Sequence, residues 1–510
     1  MKPARGPRAI LRPLRALIRI EDVASGGEGI GRLDGRAVFV PFTAPGDQVW
    51  ADVPPGAGTT HATLLELAEA GAARVASPCR HFGVDPGRAS GPCGGCEWLH
   101  LAYPAQLAAK QRTVAEALRR IARLAPGSYD LRPIVPSPVP LRYRTRAKFH
   151  HDRDAGRLVF FQRRSHVPVA IDACHLLVPA LDALRAAVGP ALTAARIPAR
   201  EVALEWSERT GTGAAHLRVA EGTAAVRARA ERLLAEVPAL AGLVLSAEEG
   251  APAVIGDPVL RQPRVPGDPA AGAQRSRPDV FQQANRAANA LLVQTALELL
   301  APAGADVLEL HCGAGNFTGP LGARARRVAA VEVQGPALEL ARADEADQAG
   351  GVSASAGAGG GACPGASRGP PSRNVEVSAS AGAGGEACPG AGRGPGGPSF
   401  TRPPSRDVRF FAGDALALAR AFARERGAEA RRFDAALLDP PREGAKGIGP
   451  ALRDLGVSRA VYVSCDPATL ARDVRACVEA GLRVAAVVPV DMFPQTHHVE
   501  AVVLLERSAP

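Results

Sequence analysis

At 510 residues the chain is too long for one ordinary domain and implies roughly two to four, and 46% apolar residues allow several cores. Lysine plus arginine exceeds aspartate plus glutamate by 61 − 51 = 10, a modest basic surplus that favours polyanion partners. No apolar run reaches the about 18 residues of a membrane helix, which argues against a helical span, and the arginine-rich start "MKPARGPRAILRPLRALIRI" lacks the apolar centre of a secretory signal, so a cytoplasmic protein is expected.

Residues 17–55 read as short β segments punctuated by glycine turns. Alternation is plain in "RAVFVPF", and "LDG" marks a turn. A small β-barrel fits, of a kind that often binds nucleic acid on an open face. Three cysteines follow, then a helix in "AQLAAKQRTVAEALRRIARL", where Leu107, Val114, Leu118 and Ile121 are expected on one buried face. Residues 130–275 read as mixed strands and helices. From 305 the chain alternates apolar strands with helices. The strands are expected at 306–310, 327–332, 408–411, 433–438, 460–464, 483–490 and 499–505, the pattern of a doubly wound α/β sheet. Residues 350–406 interrupt it. "VSASAGAGGGACPGASRGP" at 352 returns at 377 as "VSASAGAGGEACPGAGRGP", and this composition predicts a disordered surface loop. Cys363 and Cys388 lie in these repeats and receive no role.

The chemistry-bearing residues gather after strands. "LELHCGAGNF" (308–317) places Gly313 and Gly315 where the backbone must turn tightly beside a ligand, and Glu332 ends the next strand, where a carboxylate can accept from a ribose diol. The third glycine of a dinucleotide fingerprint is missing, so a nucleoside cofactor without pyrophosphate fits better, S-adenosylmethionine being the common one. Cys312 reads as packing. "LLDPPREGA" (437–445) ends another strand with Asp439 and a stiff proline wall. Cys465, in "VSCDPATLARDV" (463–474), sits where a strand ends and a helix begins, with Arg472 nearby in sequence. A thiolate there is a nucleophile, and helix starts and cations lower thiol pKa values; an inert buried cysteine is the rival reading. Glu500 opens the last strand and can serve as a general base, whereas His497 and His498 read as loop residues. Cys79, Cys93, Cys96 and Cys174 are enough thiolates for zinc or an iron–sulfur cluster, and spacing does not choose between them.

In their order, these segments resemble the RNA uracil-C5 methyltransferases that make 5-methyluridine, most closely the iron–sulfur branch acting on 23S rRNA. The resemblance runs from about residue 17 to 507, the repeat loop excepted. It implies an OB-like TRAM barrel at 15–72, a central α+β domain with iron–sulfur cysteines at 76–280, and a class I, Rossmann-like S-adenosylmethionine-dependent methyltransferase domain at 281–510. Cys79, Cys93, Cys96 and Cys174 match the ligands of a [4Fe–4S] cluster. "FQQANRAANALL" (281–292) matches a motif that makes Gln283 a cofactor contact. His311, Asn316, Glu332, Asp414 and Asp439 match cofactor-site positions, His311 standing where an aromatic is usual. "SCDPATLARD" matches the nucleophile motif at Cys465, and "DMFPQTHHVE" makes Glu500 the base. "YRTRAKF" (143–149) resembles a segment beside the RNA cleft, with Thr145 in place of the usual asparagine.

The implied reaction has Cys465 attack uracil C6, S-adenosylmethionine methylate C5, and Glu500 remove the C5 proton, with Asp439 orienting the base. The expected partner is rRNA, with tRNA as the alternative; no membrane is involved, and the protein is expected to be a monomer. Two rivals remain: T-loop uridine methylation in tRNA, and a catalytically silent iron–sulfur RNA-binding protein. A cytosine-C5 enzyme lacks its P-C motif here, and a radical enzyme its C-x3-C-x2-C triplet.

Overall fold

The computed structural model describes residues 13–56, 58–84, 91–354, 407–425 and 431–507. The repeat loop expected at 350–406 lies outside the described residues from 355 onward, together with Cys363 and Cys388. Among the described residues no helix is long and apolar enough to cross a membrane.

The N-terminal sheet has six strands, ordered Thr60–His61, Arg36–Val40, Gly29–Leu33, Leu14–Val23, Gln48–Val53, Thr63–Glu69. Period-two alternation decides its inside: Ala16, Ile18 and Ile20 from the long first strand meet Val38, Val40, Val49, Ala51 and Val53 in one small core. A second sheet of seven strands runs from the edge strand Pro168–Val169 to Ala253–Gly256, and the helices Pro179–Ala194 and Ala224–Glu236 pack on it.

The C-terminal sheet has eight strands in the order Val408–Ala412, Arg327–Glu332, Asp306–Leu310, Ala435–Leu438, Arg459–Ser464, Glu500–Arg507, Leu482–Val490, Asp130–Leu131. All seven strands expected from the sequence form. Those from Asp306–Leu310 to Arg459–Ser464 are parallel and buried nearly end to end, as runs such as "AALL" must be when both faces are covered. Glu500–Arg507 runs antiparallel to both neighbours, with Ser464 opposite Ala501 and Val490 opposite Glu500. This reversal matters for function. The parallel strands end at one edge of the sheet, and an antiparallel strand begins there, so Glu500 arrives beside the end of the strand that precedes Cys465.

The helix Tyr103–Arg120 differs from expectation. Val114 and Leu118 are buried, but Leu107 is only half-buried and Ile121 lies past the helix end, 38% exposed. Its buried stripe is Gln106, Ala109, Lys110, Val114 and Leu118. Asp130–Leu131, read only as part of a mixed region, adds an edge strand beside Ala486 and Val487.

Candidate active site

Cys465 follows the strand Arg459–Ser464 and precedes the helix Pro467–Glu479. Asp466 caps that helix, its Oδ1 accepting from the Ala468 and Thr469 amides at 2.9 Å each. A helix start lowers a thiol pKa in isolation, yet here burial wins and pushes Cys465 up to about 11, with the charges of Glu500 and Asp439 adding to it. Arg442 opposes them by its charge and a hydrogen bond. The nearby cation is therefore Arg442, from the D-P-P-R turn. Arg472, the sequence neighbour, is occupied by Asp473 and the Glu443 carbonyl. The sequence carried one signal for Arg442, its place three residues after Asp439.

Two carboxyls share this pocket. Glu500 is 2% exposed, and burial, then the neighbouring Asp439, raise it well above the usual carboxylate range, with Arg442 opposing. Asp439 keeps some accessible surface, but its carboxyl is enclosed and burial pushes it up to about 7. Cys465, Glu500, Asp439 and Arg442 thus lie within electrostatic reach of one another at one sheet edge.

The glycine loop lies on the same edge. His311, Gly313 and Gly315 all have positive φ, at 62°, 56° and 84°. A Cβ on Gly315 would sit 3.3 Å from that of Ala341, while beside Gly313 there is open space. Glu332 holds the loop: its Oε2 accepts from Gly313 N at 2.9 Å, and its Oε1 from Val333 N and Gln334 N. His311 feels the charges of Glu332 and Asp414, but burial dominates and lowers its pKa. Asp414 is exposed and caps the helix Ala415–Arg424 through Ala417 N. Asn316 is committed to a reciprocal amide pair with Asn289, at 2.8 and 3.0 Å. Gln283 is 8% exposed, and its Oε1 has no hydrogen-bond partner among the described residues. An open cradle at Gly313, a carboxylate at the next strand end and an unpaired buried amide oxygen suit a nucleoside cofactor.

Cys79, Cys93, Cys96 and Cys174 line one predominantly apolar cavity together with Arg144. Burial raises Cys93 to about 11, Cys174 and Cys79 add repulsion, and Arg144 works the other way. Burial likewise raises Cys96, again against Arg144. The donor set of four thiols beside a half-buried cation suits a sulfur-ligated group. Among the described residues, though, no three His, Cys, Asp or Glu side chains are drawn together into a formed metal site. Arg144 was not foreseen: in "YRTRAKF" it looks like any surface arginine. Thr145 beside it bonds the Ala284 carbonyl through both its amide and its hydroxyl, tying this segment to the Gln283 stretch.

Comparison with known proteins accords with this geometry. Residues 271–351 and 410–508 match the tRNA (Uracil-5-)-methyltransferase family, and residues 15–53 match the TRAM domain. The 23S rRNA (uracil(1939)-C(5))-methyltransferase RlmD of Pseudomonas entomophila is 34% identical, over 99% of this chain and 97% of its own length. The protein of the same name from Pseudomonas aeruginosa is 33% identical over 99% and 96%. Among solved structures, the Pyrococcus abyssi tRNA (uracil-54, C5)-methyltransferase in complex with S-adenosyl-L-homocysteine shares the fold, with a TM-score of 0.64 and 21% identity over 96% of this chain and 100% of its own. With relatives this similar over nearly its whole length, the chain belongs to the RNA uracil-C5 methyltransferase family.

Proposed function

We propose that this protein methylates C5 of a uridine in 23S rRNA, through a covalent bond between Cys465 and uracil C6. The observation that carries the reading is the meeting of Cys465, Glu500, Asp439 and Arg442 at the sheet edge that also holds the glycine loop. The names of the full-length relatives support rRNA as the substrate.

The residues divide the work as follows. Arg442 favours the thiolate of Cys465, the form that attacks C6. Forming the S–C6 bond moves the ring electrons toward C5 and O4 and makes C5 a nucleophile. The glycine loop and Glu332 would hold S-adenosylmethionine, which would supply the methyl group to C5, the S–CH3 bond breaking with its electron pair left on the sulfur of S-adenosylhomocysteine. Glu500 then removes the C5 proton. Its enclosure suits this step, because a carboxylate poor in solvent is a stronger base. The S–C6 bond breaks, and its electron pair returns to sulfur. Asp439 borders the same space and orients the uracil edge. The target base must leave its stack to enter, which is least costly in an RNA loop, and the TRAM barrel and the net charge of +10 suit RNA as partner.

We further infer that Cys79, Cys93, Cys96 and Cys174 hold a [4Fe–4S] cluster. Their shared cavity and Arg144 on its wall, which offsets anionic sulfur, support it. No step of the reaction runs through it. Protein purified without oxygen is expected to contain iron and acid-labile sulfide, both lost in Cys96→Ser.

The reaction is tested with RNA carrying 5-fluorouridine. Fluorine cannot leave C5 as a proton, so the adduct stays on the protein after methyl transfer. A gel-shifted band with 23S rRNA fragments, absent in Cys465→Ser, is expected. A band with tRNA fragments only would change the substrate, and no band with either would overturn the reaction.

A further inference from the structure

The stretch 491–499 links the antiparallel strands Leu482–Val490 and Glu500–Arg507, and it is held almost entirely by residues outside the methyltransferase sheet. Tyr103 and Lys110 bond the Asp491 carboxylate. Asn285 donates to the Met492 carbonyl, Lys110 to that of Phe493, and Tyr143 to that of Pro494. The ties concentrate at Gln495. It is 7% exposed and has φ +68°, a conformation that a non-glycine residue adopts only when its surroundings enforce it. Its amide donates to Gln106 Oε1, and its Oε1 accepts from Gln106 Nε2, both at 2.9 Å. Its Nε2 donates to the Pro140 carbonyl at 3.3 Å. Its carbonyl accepts from both the Glu97 and Trp98 amides, at 3.1 and 3.0 Å.

Glu97 and Trp98 directly follow Cys96, a wall of the cysteine cavity. Trp98 Nε1 donates to the Gly27 carbonyl of the barrel, and a Cβ on Gly27 would lie 3.3 Å from those of Glu97 and His497. One buried residue therefore joins the cysteine segment, the helix Tyr103–Arg120 and the loop that ends five residues later at Glu500. Glu500 is the first rung of its strand, so the chain before it decides where that strand begins.

We propose that Gln495 is a positioning residue for the proton-removal step: clasped by Gln106 and by the backbone after Cys96, it sets the loop that delivers Glu500. This rests on the methyl-transfer reading above, and within it separates one step from another. Nucleophilic attack and methyl transfer need Cys465 but not Glu500; release of product needs Glu500.

The test uses the full-length protein and two variants. Gln106→Leu removes the clasp with little change in volume. Gln495→Gly removes the side-chain bonds to Gln106 and Pro140 and, lacking a Cβ, lets the loop leave its set conformation; the positive φ costs glycine nothing, so the variant folds even if Gln106→Leu does not. For each, turnover on ordinary uridine RNA is expected to fall about tenfold or more, the scale of a misplaced general base. Trapping on 5-fluorouridine RNA is expected to stay within about twofold of wild type. A covalent complex with ordinary uridine RNA should then accumulate on denaturing gels. A parallel fall of turnover and trapping, or no fall in either, overturns the positioning role. Absence of a trapped adduct in the wild-type protein overturns the reaction itself and the positioning role with it.

Discussion

Glu309 is the penultimate residue of the strand that feeds the glycine loop, fully buried, and neither carboxylate oxygen has a hydrogen-bond partner among the described residues. The Thr318 hydroxyl is close enough to ease its charge but makes no well-formed bond. Burial therefore dominates, and pushes the carboxyl up from 4.5 to about 8. Each pH unit of that displacement is worth about 1.4 kcal/mol, so ionising Glu309 in place costs about 5 kcal/mol more than in the unfolded chain. The folded-state pKa is the raised one. The stability that the neutral carboxyl contributes is thus complete below pH 4.5 and is lost progressively as the pH rises toward 8. Glu309→Gln keeps the shape and removes the titration. Between pH 5 and pH 8 the variant should gain about 3 kcal/mol relative to wild type, read from urea midpoints by circular dichroism at both pH values. If the two proteins show the same pH dependence, Glu309 is either solvated or ionised, and the account of this strand is wrong.

Alkylation of Cys465 by iodoacetamide, followed by mass spectrometry of its peptide, should climb with pH toward about 11 without an earlier plateau, because only the thiolate reacts and burial holds the thiol neutral. Arg442→Met should slow that alkylation at pH 8 by about tenfold, the loss of roughly one pH unit of thiolate stabilisation; a plateau below pH 9, or an unchanged rate in the variant, would count against Arg442 as the activating cation. Lys110→Met should destabilise the protein by about 3–5 kcal/mol, since it strands the Asp491 carboxylate where both side chains are fully buried. Lys110→Met with Asp491→Asn should recover most of that loss, and equal denaturant midpoints for the single and double variants would show that the ion pair is not what holds the loop.

Much of the molecule was legible in the sequence because its determinants are local. The period-two alternation of "RAVFVPF" and the apolar runs from 306 onward mark strands in any context, and a cysteine, a glutamate or a glycine turn at a strand end announces which edge of a parallel sheet will carry the chemistry. Cys465, Glu500, Asp439, Glu332 and the glycine loop could be singled out that way, but not what each side chain does in place. Asn316 is spent on Asn289, and Asp414 caps its own helix. The cation acting on Cys465 is Arg442 and not Arg472, which is held by Asp473 and the Glu443 carbonyl.

The polar stripe of the helix Tyr103–Arg120 marks the boundary most sharply. By apolar periodicity its buried face runs through Leu107 and Ile121; in the fold it runs through Gln106 and Lys110. Sequence periodicity assumes that what is buried is apolar. A side chain that can form hydrogen bonds or an ion pair is buried just as well once a partner meets it, and here the partners, Asp491 and Gln495, lie nearly four hundred residues away along the chain. The sequence by itself determined which segments become strands and helices and which residues end them. Only the tertiary structure decided which polar groups meet, because the energy of a buried polar group depends on the atom that faces it and not on its neighbours in sequence.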